Sequence, residues 1–225
     1  MLYNLKKKFY ERMALNNMTA GRAEKAEKWY RLLEKLDPES PAVLHNLGII
    51  YISLKKFDEA ERYLLREIEV FGESGIRFRV LGDLYFMTGQ REKAEKIYGK
   101  ALAMLQDGVG DKSTIKFLRR KIKQCRDISS FSKARDGAKY YEEGFAFYLE
   151  GDYMKALDLY RKAVLSDNSS YMALNAAGTI LMNHVRDYEN ARDYFQKALE
   201  LADIPLIRNN LVLAEYKIRE KGEKP

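Results

Sequence analysis

Apolar residues recur along this chain at i, i+3, i+4 and i+7, the spacing of one face of an α-helix. The stripes come in pairs, separated by short polar turns with Gly21, Gly89 or Gly151 near their centres, so each pair predicts a helical hairpin. The hairpins repeat. Leu47, Gly48, Tyr51 and Ala60 return as Leu81, Gly82, Tyr85 and Ala94, every pair 34 positions apart. Gly144, Phe147, Ala156, Tyr160 and Ala163 reproduce the internal spacing of Gly82, Tyr85, Ala94, Tyr98 and Ala101. A further copy reads Leu174, Ala177, Gly178, Leu181, Ala191, Phe195 and Ala198, with one extra residue in the turn around His184 to Tyr188. The period assigns repeats to 7–40, 41–74, 75–108, 137–170 and 171–205, leaving an insert at 109–136 and a tail at 206–225.

The small positions have a mechanical reason. Gly or Ala in the middle of a first helix, and Ala early in a second, let two backbones approach, and large side chains fill the gaps beside them. Tyr51, Tyr85, Phe147, Tyr98, Tyr160 and Phe195 are read as these packing knobs. Pro38, Pro41 and Pro205 fall at predicted helix boundaries, where a missing N–H costs little.

An aromatic, then Leu-Gly, Tyr, Ala, an aromatic and Pro within 34 residues resembles the tetratricopeptide repeat family, and repeats two to four match that pattern best. Repeat one keeps Tyr10, Gly21, Ala26, Tyr30 and Pro38 but has Met13-Ala14 for Leu-Gly and Asn17 for the tyrosine. The resemblance implies an all-α fold, an α-solenoid of antiparallel helix pairs, with first helices lining a concave face and second helices outside. The expected organisation is an N-terminal array at 1–108, a second array at 137–205, and a capping helix with its tail at 206–225.

Within the insert, Ile115, Leu118, Ile122 and Cys125 form a narrow apolar stripe surrounded by cations, which predicts one amphipathic helix. One reading makes it a cap on the first three repeats. Ser129 to Ser132 then offer N-cap oxygens to the helix that follows. The tail, with Ile207, Leu211, Ala214 and Ile218 along one side, caps the second array by the same logic.

Charge changes the picture only here. The insert holds nine Lys or Arg against three Asp, +6 of the formal +7 of the whole chain. The patch Lys116, Arg119, Arg120, Lys123 and Arg126 is either solvated decoration of a capping helix or a surface for an acidic partner, an anionic membrane or nucleic acid. Against nucleic acid stands the lack of interleaved aromatics other than Phe117.

Composition sets the remaining bounds. With 46% apolar and 32% charged residues and 4 Pro, the chain reads as folded. Its single cysteine, Cys125, excludes an intrachain disulfide framework and is read as a core residue. No apolar run approaches a membrane span and the N-terminus lacks a signal-peptide core, so the expected address is cytoplasmic, membrane contact having no such segment behind it.

No catalytic constellation emerges. His45 and His184 lie 139 positions apart without metal-ligand spacing, so no metal and no cofactor is expected. Gly108 to Ser113 has the look of a phosphate loop, but Asp111 separates glycine from lysine and a helix precedes it. The chain is therefore expected not to be an enzyme.

The family resemblance implies where binding occurs: on first-helix positions facing away from the knobs. Carried onto this sequence, these give Ile49, Ile52, Arg79, Asp83 and Phe86 in the first array and Tyr141, Phe145, Tyr148 and Met172 in the second. Their apolar and aromatic character suits interface anchors, with Arg79 and Asp83 orienting the bound segment. A rival reading has several of them covered by neighbouring helices, leaving no open groove. Positions of the family's carboxylate clamp are Glu11, Leu15, Asn46, Ile76 and Val80 here, and Asn46 alone retains the clamp residue type. The expected function is a scaffold or adaptor holding a protein or peptide segment. The alternative is a self-associating or accessory subunit of a larger membrane or envelope complex, contacting its surroundings through the basic helix.

Overall fold

A computed structural model describes residues 2–106 and 112–222. Among these residues the chain is helical throughout, without a strand. It divides into two compact units, residues 1–109 and 110–225.

The first unit holds three hairpins: α1 (Leu2–Thr19) with α2 (Ala23–Leu36), α3 (Pro41–Ser53) with α4 (Phe57–Phe71), and α5 (Gly75–Met87) with α6 (Arg91–Gln106). Each of α1 to α5 packs on its successor in the chain. The second unit begins with α7 (Lys112–Arg126), followed by the pair α8 (Ile128–Glu150) and α9 (Tyr153–Ser166). The pair α10 (Tyr171–Ile180) and α11 (Tyr188–Leu201) comes next, and α12 (Pro205–Gly222) packs against α11. The described residues form five helical pairs, and α12 buries Ile207 and Ala214.

Glycine is what brings the two helices of a pair together. A Cβ on Gly82 would lie 2.6 Å from Cδ1 of Tyr98, and one on Gly178 would lie 2.7 Å from Cε1 of Phe195. Gly144 faces Tyr160 and Gly48 faces Leu64 in the same way. Tyr98, Tyr160 and Phe195 are buried, so these knobs occupy the volume that a side chain on the facing helix would need.

The turns inside the hairpins share one geometry. Gly21, Gly89 and Gly151 adopt φ of 68°, 82° and 84°, and the structurally equivalent Lys55 and Arg186 adopt 57° and 61°. The amide that follows each of them donates to a carbonyl near the end of the first helix: Asn17, Tyr51, Tyr85, Phe147 and Leu181, each at 2.9 Å. These bonds satisfy carbonyls that the helix leaves unpaired, as in a Schellman motif. In the last pair the extra residue is absorbed by a π-helical turn, Leu181–Val185, so the same carbonyl is reached one residue later. Because a left-handed conformation costs an L-residue about 1–2 kcal/mol, part of it offset by glycine's freedom in the unfolded chain, Lys55→Gly is expected to stabilise the chain by about 0.5–1 kcal/mol. Chemical denaturation of the two proteins measures this directly.

Two expectations about the insert are corrected. The basic helix α7 belongs to the second unit, where it packs on α8 and α11. An amphipathic stripe requires a partner surface but does not encode which one. The N-cap of α8 is Asp127, whose side chain accepts from the Ser130 amide at 2.6 Å, and not one of Ser129 to Ser132. The phosphate-loop-like string lies outside the described residues at 108–111, with Lys112 and Ser113 opening α7.

Candidate protein-binding face

The residues that could contact a ligand sit on the first helices, and their distance from the pairing glycine decides how open they are. In the first unit Ile49 follows Gly48 directly and is half-buried, as are Ile52 and Arg79. Asp83 is also half-buried and accepts a hydrogen bond from the Tyr98 hydroxyl at 2.7 Å, so its carboxylate is already committed to the knob of its own hairpin.

Phe86 departs from the expectation. It is only 5% exposed, with its ring centroid 6.3 Å from that of Tyr98. The reason is helical geometry: four residues after Gly82, it falls on the face that meets the second helix. Phe86 is a core residue in this structure. Ile76, six positions before Gly82, is the most exposed large apolar residue of α5 at 61%.

The second unit is more open. Phe145 on α8 and Met172 on α10 are 47% and 49% exposed. Phe145 stacks on the half-buried Tyr148 with ring centroids 6.4 Å apart. Tyr148 in turn meets Tyr153 edge-on at 5.5 Å, and Tyr153 stacks on His184 of the π-helical turn at 3.5 Å. This ladder was not read from the sequence, because it joins α8, α9 and the π turn. The Tyr141 ring lies tilted against that of Tyr160 with centroids 5.4 Å apart, and burial pushes its hydroxyl pKa up. Asn175, three positions after Met172 on α10, accepts a hydrogen bond from the Asn210 side-chain amide of α12 at 3.0 Å.

Several polar side chains on the first helices hold the repeats together. Asn46 donates to the Tyr30 hydroxyl at 2.9 Å. His45 faces the buried carboxylate of Glu67 at 3.1 Å, and Arg77 donates to the other oxygen of Glu67 at 3.2 Å. Tyr51 donates to Glu27 at 3.0 Å and Tyr85 to Glu61 at 2.6 Å, a bond repeated at the 34-residue period between one hairpin and the next. Burial, and then these carboxylate acceptors, raise both phenol pKa values. The folded chain therefore keeps protons that unfolded tyrosines release near pH 10. The contribution is intact below about pH 10 and declines as pH rises further. Thermal midpoints measured between about pH 9 and 11.5 should fall more steeply for the wild type than for Tyr51→Phe/Tyr85→Phe.

The basic patch is partly spent on packing. Lys116 donates to the Glu200 carbonyl at 2.6 Å and Arg120 to the Ser169 carbonyl at 3.3 Å. Burial lowers the Arg120 pKa, which nearby Asp167 opposes. Arg119, Lys123 and Arg126 are exposed. Cys125 is buried. Among the described residues, no group of three His, Cys, Asp or Glu side chains is placed to hold a metal, and no helix is long and apolar enough to cross a membrane.

Two family models described as tetratricopeptide repeat match residues 39–107 and 141–203, together more than half of the chain. Bovine (Bos taurus) BBSome complex member BBS4 is 24% identical over 192 residues, 85% of this chain and 31% of that protein. Photosystem I assembly protein Ycf3 of Acaryochloris marina is 34% identical over 102 residues, 43% of this chain and 60% of its own. The chain thus spans less than two thirds of the length of either relative. Among solved structures, the complex titled TPR2AB-domain:pHSP90 of yeast Sti1 aligns with a TM-score of 0.47 at 14% identity, covering 95% of this chain and 84% of that one. YrrB, titled a TPR protein with an unusual peptide-binding site, aligns at 0.44 and 17%, covering 88% and 87%.

Proposed function

Because the chain belongs to the tetratricopeptide repeat family, we propose that it is a non-catalytic interaction scaffold that holds a segment of a partner protein against the first helices of its repeats. The observation that carries this reading is the pair Phe145 and Met172, two large apolar side chains about half exposed on consecutive first helices. Tyr141 and Tyr148 of α8 are half-buried, and Tyr148 stacks on Phe145. Water contacts apolar surface at a cost of about 25 cal/mol per Å2, so a ligand that covers these side chains gains what the free protein leaves unsatisfied. Stacked, rigid aromatics lose little side-chain entropy when covered, which suits them to anchor a segment. In the first unit Ile49, Ile52, Arg79 and Ile76 supply the corresponding surface, without Phe86.

The test uses exposed positions, so that loss of binding is not loss of folding. The double substitution Phe145→Glu/Met172→Glu should remove a partner that the wild type captures from the source lysate, with mass spectrometry as the readout. Leu165→Glu, at an 85% exposed site on a second helix, should leave capture unchanged. Equal recovery by all three proteins would count against this face.

A further inference from the structure

In the second unit, α7, the first turns of α8 and the connection after α9 enclose a cleft of about 390 Å3. Its chemistry differs from that of the first-helix face. Arg120 and Lys123 of α7 and Lys133 of α8 line it, together with the carboxylate of Asp167. Three positive charges against one negative leave a net +2.

The interactions already made show what the cleft lacks. Asp167 is buried and accepts from the Gln124 side-chain amide at 3.0 Å and the Ser169 amide at 3.0 Å, and from the Ser169 hydroxyl. Lys123 and Lys133 form no ion pair among the described residues. The Gln124 nitrogen also donates to the Ser169 hydroxyl oxygen at 3.1 Å, which fixes the orientation of the carboxamide. Its oxygen, Oε1, is buried and has no partner.

A ligand complementary to this cleft carries two negative charges on one compact group. A carboxylate leaves one positive charge unmatched. A phosphodiester strand carries one charge per phosphate and asks for a longer basic track with stacking aromatics. A phosphorylated serine or threonine meets this with about −1.5 to −2 charges at pH 7 on a single phosphate.

We propose that this cleft binds a phosphoserine or phosphothreonine side chain of a partner segment, its phosphate held by Arg120, Lys123 and Lys133. The proposal is independent of the first-helix face.

Fluorescence anisotropy on the full chain tests it, using short labelled peptides with randomised flanks around one central phosphoserine beside the same mixture with serine. The phosphorylated mixture should bind at least tenfold more tightly. Lys123→Gln/Lys133→Gln should remove that difference at an unchanged thermal midpoint, and Phe145→Glu/Met172→Glu should preserve it. Equal affinity for the two mixtures overturns the proposal, as does a phosphate preference untouched by the lysine substitutions. Inorganic phosphate, added as competitor, separates the sources. Displacement of the peptide only at a large excess supports the side-chain ligand, whereas phosphate that binds as tightly as the peptide assigns the cleft to the free ion and overturns it.

Discussion

Gly82→Val lowers the stability of the first unit by about 3 kcal/mol, the upper part of the range for overpacking a filled core. Even the first carbon of the new side chain would lie within 2.6 to 2.7 Å of two Tyr98 ring carbons. That ring has nowhere to go: Tyr98 is fully buried and its hydroxyl is held by Asp83. Valine's second methyl then forces α5 and α6 apart, and the loss exceeds any gain in helix propensity over glycine, which is under about 1 kcal/mol. Denaturant unfolding gives the size of the effect, and hydrogen exchange read by peptide gives its place. Exchange should accelerate across α5 and α6. Gly99→Val is the control, because a Cβ there meets nothing within 4 Å. If both substitutions cost the same, close helix approach is not what Gly82 provides.

Arg77→Met is the second large effect, expected at about 3 kcal/mol, the lower end of what breaking a buried ion pair costs, because Arg77 is itself partly exposed. Glu67 is buried, and its two oxygens face Arg77 and His45. Removing the guanidinium leaves a carboxylate in a dry place with one remaining partner. The same guanidinium donates to the Phe71 and Gly72 carbonyls, so the end of α4 loses two hydrogen bonds as well. Glu67→Leu/Arg77→Met should recover most of the loss, since the destabilising element is the orphaned charge rather than the absent attraction. A double variant no better than the single would assign the effect to the α4 carbonyls instead.

These two sites differ in how far the sequence exposes them. The Gly82–Tyr98 contact follows from a period of 34 and the pairing of a small with a large residue, both visible in the amino-acid order. The helical hairpins and their turns are legible for the same reason, since each is local. Glu67 is different. Its partners lie 22 and 10 positions away on two other helices, and nothing in a charged residue on an amphipathic helix says that it will be buried. The candidate face is intermediate. Its helices were legible from the resemblance, but the exposure of each position depends on angle: Phe145, next to Gly144, stays open, whereas Phe86, four residues after Gly82, turns inward. The placement of α7 on α8 and α11 is a choice among surfaces, and an apolar stripe carries no address.

The turn after α10 contains one residue more than its counterparts, yet Phe195 still fills the space over Gly178 and the closing bond to the Leu181 carbonyl still forms. Length variation is thus confined to a single carbonyl and the loop it closes. For the history of such a chain, this separates two kinds of change. Residues can be gained at a hairpin tip without disturbing the contacts that define the neighbouring copies, while a residue gained within a helix would rotate every later contact by about 100°. Copies related by duplication can therefore drift out of numerical phase and remain in structural phase. The same tips are the places to insert a label or a reporter peptide while leaving the stacking of the helices as it is.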